Sequence, residues 1–271
     1  MDVNSGLAVL GTAIGSAKLI EKVLGPTADY LGTGIRDFTQ HRVDNVKRIF
    51  QKAGEFLGDK PPEGQAVPPR VLRDVLNDGS YRDDELTASY YGGILASSRS
   101  GIPRDDRGAA FTALVGRLTT YQLRAHYILY RTINLLYHNT GRNLQDSGPR
   151  AECRTFIPMQ DYITAMDPQQ GEAVEAFLAH VFFGLDRESL IDGNFTFGPV
   201  EHIKKQFAGA ETQGLIFQPS ALGIELFLWA TGNSVLDLNT ICRQEIELPE
   251  LGIPPCLDAK PIKPPDATAG T

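Results

Sequence analysis

The sequence is thin in the residues that most often announce catalysis or metal binding. Three cysteines (Cys153, Cys242, Cys256) and five histidines are spread over 271 residues. An odd number of cysteines with no CxxC pair argues against a disulfide framework and for free thiols in a reducing, cytoplasmic compartment. A structural zinc site needs four N or S ligands in close sequence pairs. His41, His126, His138, His180 and His202 are scattered, so no metal is expected. His126 and His138 fall on one helical stretch but three turns apart, too far to share a ligand. The phosphate-loop pattern GxxxxGK[ST] and the nucleophile elbow GxSxG are both missing. Gly32-Thr-Gly34 followed by Asp37 breaks the GxGxxG fingerprint. The sequence therefore assigns no cofactor and no catalytic residue. A hydrolase would need a pocket joining Asp84, Arg104 or His126.

Positive charge is in the minority. Lys+Arg number 26 against 33 Asp+Glu, a net charge of −7. That disfavours a broad nucleic-acid footprint and leaves room only for local basic patches. Long apolar runs are scarce too. Leu7 to Leu24 is rich in Leu, Ile, Val, Ala and Gly, but Lys18, Glu21 and Lys22 cut it below spanning length. Gly11 and Gly15 form a GxxxG pair, which allows close helix contact. The segment reads as a helix packed on its own protein or on a second copy, the alternative being an interfacial or membrane-disrupting helix.

Proline is present and clustered. Nine of the 17 prolines lie in Lys60 to Arg70 and in the C-terminal stretch. Proline lacks an amide donor and biases its predecessor away from helix, so these clusters punctuate the chain. They divide it into a helical N-terminal region (1–60), a Pro-rich linker (61–70), a helical body (71–251) and a Pro-rich flexible tail (252–271).

Between the prolines the pattern is mostly helical. Phe38, Val46, Ile49, Phe50, Ala53 and Leu57 form an apolar stripe over 35–57. Its other face carries Arg36, Arg42, Lys47, Arg48 and Lys52. Short or full helices are predicted at 70–76, 86–96, 109–118, 121–137 and 174–185. Gly92-Gly93 either weakens its helix or lets a neighbour approach closely. Residues 139–150 read as a polar loop. Gly214 to Pro219 reads as a strand, and Ala221 to Ala230 as strand-then-helix or helix throughout. Helices followed by a strand, a turn and a Gly-containing apolar segment resemble the end of a winged-helix unit, with Pro199 to Phe207 and its Lys204-Lys205 pair as the recognition-helix candidate. One lysine pair is a thin phosphate footprint. The expected fold is mainly α: a multi-helix bundle with a small winged-helix-like α+β C-terminal part, about 119–240.

One set of motifs points further. Gly25-Pro-Thr-Ala-Asp-Tyr-Leu-Gly32 is continued by Ile35-Arg36-Asp37, Arg42, Asn45, Ile49 and Lys52-Ala53. Val67-Pro-Pro-Arg-Val-Leu72, Asp83-Asp84-Glu85-Leu86 and Gly93-Ile-Leu-Ala96 follow. This succession resembles the abortive-infection alpha (Abi-alpha) family over residues 20–240, best over 25–96. Tyr90-Tyr91-Gly92 stands where that family carries a Trp-Ala pair, and Thr27 where alanine is commoner. The resemblance implies a bacterial phage-defence protein, in a system where the infected cell stops growing or dies before phage are released. It brings no catalytic residues. Arg36 and Asn45 read as polar groups that tie neighbouring segments by hydrogen bonds. The expectation is a non-enzymatic protein acting by protein contact or self-association. A membrane surface met through Leu7–Leu24, and nucleic acid, are the alternatives. The interaction candidates are Arg36, Arg42, Asn45, Lys47, Arg48, Lys204 and Lys205.

Overall fold

The computed structural model describes residues 28–58, 67–99, 105–233 and 237–262. The apolar segment Leu7–Leu24 and most of the Pro-rich linker lie outside the described residues. Ten α-helices and four strands are found among them. No helix among the described residues is long and apolar enough to cross a membrane.

Helix α1 (Ala28–Leu57) lays Asn45, Ile49, Lys52 and Ala53 against the body. Helix α2 (Pro69–Asn77) starts on proline, whose fixed φ and missing N–H suit a first turn. Helix α3 (Glu85–Ser97) is the axis of the bundle. Asp84 caps it, accepting from the Thr87 amide at 2.8 Å. Every residue from Leu86 to Ser97 is buried, because α1, α2, α4 (Arg107–Arg117), α5 (Thr120–Tyr137) and α10 (Ala221–Ala230) surround it. The Gly92-Gly93 pair makes this packing feasible. A Cβ on Gly92 would stand 2.6 Å from Lys52 Cβ on α1. One on Gly93 would stand 1.9 Å from the Ala230 carbonyl oxygen on α10. Close approach, not helix weakening, is the role of both glycines.

Helix α5 begins with a reciprocal capping box between Thr119 and Gln122. After it the chain turns to mixed structure: α6 (Ser147–Ala151), β1 (Thr155–Pro158), α7 (Met159–Met166), α8 (Val174–Arg187), β2 (Thr196–Gly198), α9 (Val200–Ile203) and β3 (Gly214–Phe217). Strand β4 (Lys260–Pro261) completes an antiparallel sheet of order β2-β3-β1-β4. Successive strand residues point to opposite faces. Accordingly Ile157, Leu215 and Phe217 join the main core, while Phe156 and Ile216 join a satellite cluster with Ile203, Ala210 and Ile262.

Several expectations need correction. Residues 252–262 are not a flexible tail. Cys256, Ala259 and Ile262 are buried, and the Ile262 amide donates to the Arg154 carbonyl at 2.8 Å. Residues 1–60 do not form a separate helical region as far as they are described, since Ile49 and Ala53 belong to the same core as the body. The 139–150 loop already enters α6 at Ser147. Ala221–Ala230, open in sequence between strand-then-helix and helix throughout, is the latter, opened by Ser220, whose hydroxyl accepts from the Gly223 amide at 3.0 Å. The segment 199–207 holds one turn of helix, four residues long, followed by turns.

Candidate functional site

Three basic residues of α1, Arg42, Arg48 and Lys52, turn towards the body. Arg42 donates through Nε to Ser80 Oγ at 3.0 Å, and its guanidinium lies 4.2 Å from the centre of the Tyr81 ring. One turn on, buried Asn45 donates to the Ser80 carbonyl at 3.0 Å. Arg48 donates to the Asp83 carbonyl at 2.7 Å and pairs with Glu85 at 3.0 Å. Lys52 pairs with Glu55 and Glu250, each at 3.3 Å. Burial works against the Lys52 charge, but Glu250 and Glu55 outweigh it and hold the pKa above its ordinary value. Steps of three and four residues put this row on one side of the helix. Its anionic counterpart is therefore internal. The row stitches α1 to the turn between α2 and α3 and to the segment around Glu250.

The structure thus brings Arg42, Asn45 and Arg48 together, along with Lys52. Lys47 stays exposed on α1. The side chain of Arg36 lies outside the described part. Lys204 and Lys205 are exposed just after α9, which packs on β2 and β3, and they do not join the α1 row.

Burial holds His126 and the three cysteine thiols in their uncharged forms. His126 accepts at Nδ1 from the Tyr90 hydroxyl at 2.8 Å. Its Nε2 lies 3.0 Å from the Gly223 carbonyl, which can only accept, so that nitrogen carries the proton. Complete burial pushes its pKa down to about 3. Burial pushes the thiols of Cys153 and Cys256 up to about 12 and raises that of Cys242. The carboxylate of Asp84 is engaged as a helix cap. Arg104 lies outside the described residues. Among the described residues no cluster of His, Cys, Asp and Glu could hold a metal ion.

Two surface features were not found by reading the chain. The first is on α8. Its buried side carries Phe177, Leu178, Val181, Phe182 and Leu185, but Phe183 points outward and is 61% exposed. The Phe183 ring meets the half-buried Phe195 edge-on at 5.6 Å, and Phe195 stacks towards Phe197. Val174, at the start of the same helix, is exposed as well. Phe183 thus lies at the rim of an aromatic cluster whose other members, Phe195 and Phe197, are half-buried.

The second feature is a groove of about 380 Å³ between α4 and α10. Arg107, Phe111, Leu114 and Arg117 are spaced along one side of α4, and Leu222 and Glu225 of α10 face them. Arg117 pairs with Glu188 at 3.0 Å. Burial opposes the Glu188 charge, yet Arg117 and Arg187 lower its pKa on balance. Arg107 donates twice to Asp105, at 2.8 and 2.9 Å, and lies 5.6 Å over the Trp229 ring. Burial raises the pKa of Glu225 against the opposing pull of Arg107. The chain matches no family model, no curated protein and no solved structure.

Proposed function

We propose that the chain is a non-catalytic phage-defence protein of the abortive-infection alpha kind, acting by protein contact through the outer face of α8. The motifs that resemble that family support the first half of this reading. Those that lie in the described residues converge on one joint. Arg42, Asn45, Arg48 and Lys52 bind the 80–85 turn and Glu250, while Gly92 and Gly93 let α1 and α10 close on α3. These residues act as scaffold, in keeping with a family without assigned catalytic groups.

The observation that carries the second half is the exposed Phe183. We read α5-β1-α7-α8-β2-β3, with sheet order β2-β3-β1, as a winged-helix-like unit. In that arrangement α8 takes the recognition position, and the segment containing Lys204 and Lys205 becomes the connection between the wing strands. The exposed positions of α8 include Val174, Glu175, Ala176, His180 and Phe183. Arg187, its only arginine or lysine, is paired with Glu188. DNA would require a strongly cationic helix here; one exposed phenylalanine with Ala176 and His180 beside it suits a protein better.

The test is phage plating on cells that express the wild-type chain, Phe183→Asp, or the double variant Lys204→Glu/Lys205→Glu. The expected result is fewer plaques with wild type and with the lysine variant, and protection lost with Phe183→Asp. Wild-type cells that plate like empty-vector cells would overturn the defence assignment. Protection lost only in the lysine variant would favour a nucleic-acid target.

A further inference from the structure

The groove between α4 and α10 has an unusual electrostatic arrangement. Glu225 and Arg107 border it together, and in most proteins such neighbours would form an ion pair. Here the Arg107 side chain is committed elsewhere. Two of its N–H groups go to Asp105, and its flat face lies over Trp229. Among the described residues the Glu225 carboxylate accepts no hydrogen bond, and the charge that acts on it is that of Arg107. It is half-buried beside apolar surface from Phe111, Leu114 and Leu222. A desolvated carboxylate without a donor is costly to keep charged, and the cost is relieved by any donor cation that enters.

The opposite end of the groove carries the reverse sign. Ten residues separate Arg107 from Arg117 on α4, a span of about 15 Å at the helical rise. There Glu188 is shared by Arg117 and Arg187, leaving one positive charge in excess. A second cation would be repelled at that end. The groove is open to solvent, and its volume of about 380 Å³ leaves room for a short aliphatic chain along its floor. These features select one positive charge on an aliphatic body.

We propose that this groove binds a small aliphatic ammonium ion, its charge received by Glu225 and its carbon chain laid along Phe111, Leu114 and Leu222. The groove meets α8 only at its C-terminal end, where Glu188 borders it, so amine binding by the Phe183→Asp protein keeps its fate distinct from that of the protein-contact reading.

The experiment is calorimetric titration of the full chain at neutral pH with n-hexylammonium, hexan-1-ol and hexanoate. Saturable binding of hexylammonium is expected, with the alcohol about ten-fold weaker because it lacks the charge-assisted hydrogen bond. Hexanoate, drawn to the Arg117 end rather than to Glu225, should bind no more weakly to Glu225→Gln than to the wild type. Glu225→Gln keeps the shape and removes the charge, so it should bind the amine and the alcohol alike. Ala110→Trp, at an exposed position on the same side of α4, should block both ligands while leaving the circular dichroism spectrum unchanged. Absence of saturable hexylammonium binding would overturn the proposal, as would undiminished amine preference in Glu225→Gln.

Discussion

Replacing Gly93 with alanine should destabilise the protein severely, although alanine is the better helix former. The position is mid-helix in α3, where Gly→Ala alone would add up to about 1 kcal/mol. Against that gain stands the Ala230 carbonyl oxygen, only 1.9 Å from where the new Cβ would sit. Real contacts of this kind begin above 3.0 Å, so α3 and α10 would have to part by about 1 Å. That movement pulls on the Ser97 hydroxyl bond to the Trp229 carbonyl, 3.0 Å long, and on the Phe111–Trp229 ring contact at 4.9 Å. Overpacking costs about 3 kcal/mol at the upper end of its usual range, and the strained hydrogen bond about 1 more. The net loss is about 3 kcal/mol, or about 10 °C in Tm for a chain of this size. Gly54 supplies the control. It lies in α1 with nothing within 4 Å of its would-be Cβ, so Gly54→Ala should stabilise by about 0.5–1 kcal/mol. Urea unfolding followed by far-ultraviolet circular dichroism reads both. A Gly93→Ala protein as stable as wild type, or a Gly54→Ala protein equally damaged, would refute the reasoning.

Three further outcomes follow from buried polar groups and thiols. His126 has a native pKa of about 3, below the ordinary 6.5, so the unfolded chain binds more protons between those values. Its contribution to stability is complete above pH 6.5 and is lost as pH falls towards 3, costing about 2 kcal/mol between pH 7 and 5. Unfolding at the two pH values measures this, and His126→Gln should flatten the difference; an unchanged slope would contradict the assignment. Asn134 donates to the Ile241 and Gln244 carbonyls at 2.7 and 2.8 Å and accepts from the Ile246 amide at 2.8 Å and from Arg131 at 3.0 Å. Asn134→Leu strands these groups and should cost about 4 kcal/mol in the same assay, whereas a loss below about 1 kcal/mol would mean that water replaces the side chain. The three cysteine thiols should resist an aromatic disulfide reagent in the native state and all react in urea, because each is buried; immediate native labelling would contradict that burial.

The helices were legible because their signals are local. The stripe through Ile49 and Ala53, the threonine before Gln122 and the apolar side of 174–185 each declare a helix from neighbouring residues alone. The short strands were not legible for the opposite reason. Thr155–Pro158 shows no alternation, since both of its faces are buried, and it ends in a proline. Lys260–Pro261 is a strand only because Thr155 and Phe156 lie across from it, over a hundred residues away in the chain. That pairing also turned an apparent tail into part of the sheet. At the surface, the basic residues of α1 were visible but their direction was not. Only the fold shows that Ser80, Asp83, Glu85 and Glu250 satisfy them. Glu225 was hidden in an apolar run, whereas the Arg107–Asp105 pair is local, since the run Arg104-Asp-Asp-Arg107 by itself reads as a loop ion pair. Phe183 falls off the apolar stripe of its helix, but that it meets Phe195 at the surface is set by where the chain before β2 ends up.

The central claim is that the outer face of α8 is where this protein meets another. It is tested most directly by placing a photo-crosslinking phenylalanine analogue at Phe183 and irradiating phage-infected cells. Leu257, 77% exposed on the C-terminal segment, serves as the control position. The account predicts a discrete protein adduct from position 183 and none from position 257. No adduct at 183, or equal adducts at both positions, would contradict it.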